Sequence, residues 1–141
     1  MFDELEKYKS NGHFFFSEGD DLAKVCNAPK NGIGIYIIYA LKGGKIELIF
    51  IGSAGKIKQD GTQKALVGGI CDQLINGKLF GGSRKLTLKE HIKHKNIDAL
   101  DIYWYETFDK KNTDIPAFVE GTIMQRYFDL NEQLPEWNEE Y

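Results

Sequence analysis

Two short signatures stand on neighbouring apolar runs of the chain, Gly-Ile-Tyr at Gly34–Tyr36 and Phe-Ile-Gly at Phe50–Gly52. Each sets one aromatic ring at a fixed place on a strand. A free phenol has a pKa of about 10, so Tyr36 works as a base near neutrality only where a metal ion or cationic neighbours lower that value. Further along, Glu120 borders the packed face of a strongly patterned helix, and its carboxylate is the natural acid of the set. His91 and His94 are three apart on another helix and share a side, but no third ligand is spaced to join them, so a solvated basic face is the expected reading. Cys26 and Cys71 form no C-x-x-C or Cys/His pattern and are read as two buried thiols.

Charge adds a second kind of chemistry. The formal net charge is -3, yet Ser53–Lys95 holds nine Lys/Arg against three Asp/Glu, whereas Asn96–Tyr141 holds three against eleven. The basic stretch includes Lys56, Lys58, Lys64, Lys85, Lys89, Lys93 and Lys95. These can track a nucleic-acid backbone, with strong salt dependence and weak sequence preference. Arg84 is the only guanidinium there, and Arg126 the only other in the chain. The longest apolar run, Ile33–Leu41, is too short to span a bilayer, the opening residues are acidic, and a cytoplasmic protein is expected.

The elements that must position these groups follow from pattern. At 141 residues with 42% hydrophobic content, one folded domain is expected, with residues 1–31 an extension packed on a core formed by 32–141. In the extension, "FDELEKYK" predicts a helix, "NGHFFF" a strand, and "SEGDDLAKVCNAP" a helix capped by Ser17 or Asp20 and stopped near Pro29. "GIGIYIIYA" and "KIELIFIG" flank Gly43 and Gly44 as a hairpin, and a turn centred there sets Tyr36 opposite Phe50 or Ile51. A short helix follows with Ile70 and Leu74 inside and Gly77 closing it. Another starts at Thr87, where Glu90 completes a capping-box spacing. "LDIYWYETF" reads as a third strand, and "DIPAFVEGTIMQRYFDL" as a helix with Phe118, Gly121, Met124 and Phe128 along its inner stripe.

With those pieces in this order, the sequence resembles the GIY-YIG nuclease superfamily over Gly32–Asn138. The ordered parts are "GIY" at 34–36, "FIG" at 50–52 in place of YIG, a short helix, a third strand, the Glu-bearing helix "PAFVEGTIMQRYF", and "LPEWN" ending at Asn138. The resemblance implies an α+β fold: a small three-stranded antiparallel sheet, hairpin plus third strand, flanked by helices. It also implies cleavage of DNA phosphodiester bonds with one divalent ion, Mg2+ or Mn2+. By position, Tyr36 matches the tyrosine beside the attacking water, Glu120 the metal ligand, and Asn138 the supporting amide.

Two positions depart from the family pattern. Phe50 lacks the hydroxyl of the second tyrosine, and Gln73 stands where an arginine is usual, with Gly77 where several members carry histidine. Loss of one such electrostatic donor commonly costs about 10² to 10³ in rate. Lys56, three residues past the FIG, and Arg84 are the candidate substitute cations. Three functions stay open at this stage. They are an endonuclease with an altered site, a catalytically degenerate nucleic-acid binder, and a protein-interaction module using the acidic C-terminal third. DNA is the expected partner, no membrane is, and a homodimer stays open.

Overall fold

The computed structural model describes residues 2–64, 69–79 and 82–141, and of residues 78, 79 and 82–86 the backbone alone. Its centre is a four-stranded antiparallel sheet in the order β1-β6-β2-β3. The strands are β1 (Asn11–Phe16), β2 (Gly34–Lys42), β3 (Lys45–Ala54) and β6 (Ala99–Glu106). Between β3 and β6 the chain forms α2 (Gly69–Asn76), the two-residue strands β4 (Lys78–Leu79) and β5 (Gly82–Ser83), and α3 (Arg84–His94). A one-turn helix α1 (Leu22–Val25) precedes the hairpin, and α4 (Pro116–Asn131) follows β6. Among the described residues no helix is long and apolar enough to cross a membrane.

The expected α+β architecture stands, with one strand more than the three anticipated. The "NGHFFF" segment of the extension pairs with the outer side of β6, from Asn11 opposite Tyr105 to Phe16 opposite Leu100. Its alternation explains the placement. Phe14 and Phe16 are buried on one face, while His13 and Phe15 are exposed on the other. Central strand β2 shows no such alternation, because Ile35 to Ile38 are all buried between helices on both faces.

Two apolar layers result. One face packs Tyr36, Ile38 and Phe50 with Ile70 and Leu74 of α2 and Leu88 and Ile92 of α3. The other packs Ile35, Ile37 and Ile51 with Val119, Ile123 and Met124 of α4, and with Leu5 and Tyr8 of the N-terminal turn. Full burial of each such side chain contributes about 1.5–3 kcal/mol before entropy is counted.

Several local expectations are corrected. The opening segment forms only a 3-10 turn at Asp3–Leu5, and Asp21 rather than Ser17 or Asp20 caps α1. Helix α3 starts at Arg84, three residues before Thr87. On α4, Phe118 and Phe128 are 70% and 44% exposed, and the inward stripe is Val119, Ile123 and Met124. The helix is turned so that this stripe meets Ile35, Ile37 and Ile51 of the sheet, which leaves Phe118 and Phe128 on its outer side.

The cysteines are also corrected. Cys26 and Cys71 are not separate thiols but a disulfide, with Cα atoms 6.0 Å apart, joining the end of α1 to α2. Their approach follows from backbone contact, since Ile70 N donates to Gly32 O at 3.1 Å and brings α2 against the segment leading into β2.

Candidate functional site

The hairpin register differs from the simple turn count, and the difference builds the site. Next to the turn, Lys42 pairs with Lys45, as a turn on Gly43 and Gly44 requires. Ile49 is then an extra residue in β3, so that beyond Ile38 the register shifts by one and Tyr36 lies opposite Gly52, not Phe50 or Ile51. The bulge leaves Tyr36 and Phe50 on the same face, where their rings lie 6.1 Å apart at 25°.

Both glycines of the signatures have structural reasons. A Cβ on Gly52 would stand 2.5 Å from Cζ and 2.6 Å from the hydroxyl of Tyr36, so only glycine lets the ring lie across the strand. A Cβ on Gly34 would meet the carbonyl of Tyr105 at 1.8 Å, which forbids any side chain where β2 and β6 approach.

Tyr36 is fully buried, and Phe50 is 8% exposed. Asn138 reaches the same place from the C-terminal segment. Its side chain accepts from Ile51 N at 3.0 Å and donates to Ile51 O at 3.1 Å, while Trp137 N donates to Ile49 O at 2.8 Å. The segment therefore covers the open edge of β3, with an amide side chain doing what a neighbouring strand's backbone would do. Three residues later Tyr141 meets α4. Its hydroxyl lies 3.4 Å from where a Cβ of Gly121 would be, and its pKa is raised by partial burial first and then by the carboxylate of Glu120 beside it.

Glu120 is half-buried on α4, which packs on the sheet face opposite the one that carries Tyr36. The two sequence candidates thus occupy different layers, and the C-terminal segment runs from one to the other, with Asn138 on Ile51 at the β3 edge and Tyr141 beside Glu120. Gln73 lies on α2, exposed, one residue before the buried Leu74 of the Tyr36 layer.

Lys56 and Lys58 are exposed on the connection after β3, and Lys93 is exposed on α3 beside the half-buried Lys89. Arg84 and Lys85 open α3 rather than standing in a loop, and their side chains lie outside the described residues. His91 is drawn inward, with Nδ1 2.9 Å from Thr87 O and its ring 5.3 Å from that of Trp137, whereas His94 is exposed.

No family model, curated protein or solved structure matches this chain. Among the described residues no group of three or more His, Cys, Asp or Glu gathers as a metal site. The resemblance assigns a divalent ion of the magnesium type to Glu120, whose carboxylate lies beside the Tyr141 hydroxyl. Such ions keep several waters and need only one or two carboxylates, with substrate phosphates completing the shell. Glu120 is the carboxylate in question.

One polar group escaped the sequence reading. His13 Nδ1 lies 2.8 Å from Asp101 Oδ1 across β1 and β6, with the Tyr103 ring stacked on the imidazole at 4.7 Å. Tyr39 packs edge-on to Tyr103, and its pKa is pushed up to about 12, by burial first and then by the neighbouring tyrosines and Asp101. The signal was faint. It lay in the alternation of β1 and β6, whose outward positions can be matched only once the two strands are known to pair.

Proposed function

We propose that this chain is a GIY-YIG-type protein directed at the DNA backbone, a divalent-metal-dependent endonuclease of reduced activity. One observation carries the reading. Parts far apart in the sequence converge on Phe50–Gly52, with Tyr36 lying across Gly52 and beside Phe50 while Asn138 clasps Ile51 between them. Hydrolysis joins a water oxygen to phosphorus, breaks one P–O ester bond, and leaves a proton to be taken up. Tyr36 orients that water or accepts its proton, once the cover over its ring opens toward the β3 edge. Glu120 lies across the sheet from the Tyr36 ring, and Mg2+ or Mn2+ held there would supply charge stabilisation to phosphoryl oxygens of a backbone that passes around the β3 edge. With Gln73 in place of a guanidinium the rate is about 10² to 10³ below that of a complete site, and the hydroxyl that Phe50 lacks lowers it further.

A second reading, a nucleic-acid binder that does not cut, is favoured by the complete burial of Tyr36 and by the position of α4 on the other sheet face. Plasmid nicking with Mg2+ or Mn2+ decides between them. The endonuclease reading expects slow nicking, lost in Glu120→Ala and in Tyr36→Phe and raised about tenfold or more in Gln73→Arg. Retardation of DNA at low salt with no nicking by either the native chain or Gln73→Arg would establish the binder instead. Neither retardation nor nicking would leave the interaction module.

The reading carries a cytoplasmic setting with it, where disulfides are uncommon. The Cys26–Cys71 disulfide tests that setting: thiol alkylation and mass measurement on protein extracted without reductant that find both cysteines blocked would overturn the cytoplasmic assignment.

A further inference from the structure

At the turn end of the hairpin, on the face that carries Tyr36, the sheet extends past the helices and leaves a cavity of about 340 Å³. That is within the range of small-ligand sites. Ala40, Ile49 and the side of Trp137 give it an apolar floor. Its rim is unusual in charge. Lys42 and Lys45 stand directly opposite each other across the strands, an arrangement of like charges that costs stability in a sheet. Lys95, just past α3, brings a third ammonium to the same rim.

None of the three lysines has an acidic ion-pair partner among the described residues. The two acids of the rim, Glu47 and Glu136, lie close to Tyr127 on the α4 side, where they add to the burial that raises its pKa. The cavity is therefore polarised, positive toward the hairpin tip and α3, negative toward α4. An anion seated among the lysines relieves the repulsion that the fold builds in.

We propose that this cavity holds one nucleotide of an unpaired strand, its phosphate among Lys42, Lys45 and Lys95 and its base on the apolar floor. The choice of a strand over a free nucleotide follows from the charge that continues beyond the cavity. Lys95 directly follows α3, whose Lys93 is exposed. A strand of several phosphates engages that helix as well as the cavity, and the proposal rests on the nucleic-acid part of the functional reading.

The test is fluorescence anisotropy of a labelled thymidine hexanucleotide on the full chain, with thymidine monophosphate and inorganic phosphate as competitors. The hexanucleotide binds at low salt, and both competitors are weak. Replacing the three lysines together, Lys42→Gln, Lys45→Gln and Lys95→Gln, lowers affinity about tenfold or more and flattens the salt dependence by about 2 units of slope. The thermal midpoint stays level or rises, because like charges have been removed, and Lys110→Gln, at an exposed lysine past the far end of β6, leaves binding unchanged. Unchanged affinity and slope in the triple variant would overturn the site. Competition by the monophosphate as strong as by the hexanucleotide would overturn the strand assignment.

Plasmid nicking separates the two readings. Binding as described without nicking defeats the endonuclease alone, and nicking with no lysine dependence of hexanucleotide binding defeats this inference alone.

Discussion

Gly52 and Asn138 hold the aromatic pair of the site in place from the two sides of Ile51. A methyl group on Gly52 would press on the ring of Tyr36, which is buried and has Phe50 on its flank. Gly52→Ala is expected to lower stability by about 1–3 kcal/mol, despite the better strand propensity of alanine, as read from urea denaturation. Asn138→Ala removes the partner of both Ile51 backbone groups at once, with an expected loss of about 1–3 kcal/mol in the same measurement. Asn138→Asp keeps an acceptor for Ile51 N but faces Ile51 O without a donor, so it should not restore the loss. The sequence marked Tyr36, Phe50 and Asn138 as related positions. That they meet on consecutive residues of β3 depends on the bulge at Ile49, which no count from the turn reveals.

Among the elements, α2 is held from two sides. Its Ile70 and Leu74 pack on the Tyr36 layer, and its Cys71 is bonded to Cys26, closing a loop with a sequence separation of 45. A crosslink of that span restricts the unfolded chain enough to contribute about 2–4 kcal/mol. Urea denaturation with and without a dithiol reductant should differ by that amount, and Cys26→Ser should remove the difference while leaving the sheet folded. Helix α4 carries its own lesson. Its length and its Pro116 start were legible, but its inward stripe was set by what the sheet offers, so Val119 and Ile123 face in while Phe118 faces out.

At the scale of the molecule, buried and half-buried tyrosines set the response to pH. Tyr8, Tyr39, Tyr103 and Tyr105 all have raised pKa values, led in each case by burial, and Tyr39 reaches about 12. Folding holds these phenols neutral, whereas the unfolded chain ionises them near 10. Their contribution is fully present below about pH 10 and is lost as pH rises through the folded values. Denaturant midpoints should therefore fall between about pH 10 and 12, with the phenolate absorbance of these four tyrosines appearing together with unfolding; their ionisation in the folded chain, beyond that of the exposed Tyr141, would contradict the burial. At the acid end, Asp114 is held below the usual carboxylate range by Lys7 and by the hydroxyl of Tyr8. Its contribution is present above about pH 4 and lost as pH falls through the lowered value, and Asp114→Asn should remove that part of the acid dependence.

Composition and local pattern by themselves determined the elements: the hairpin about Gly43 and Gly44, the third strand of the expected sheet at Ala99–Glu106, and a long helix opening at Pro116. These rest on interactions between residues a few positions apart, where periodicity, turn chemistry and capping act. Only the tertiary structure decided that the extension's strand joins the sheet, that two cysteines meet, and that Tyr36 and Glu120 stand in different layers. Each of those depends on which distant surfaces bury one another, and a linear pattern carries no measure of that competition.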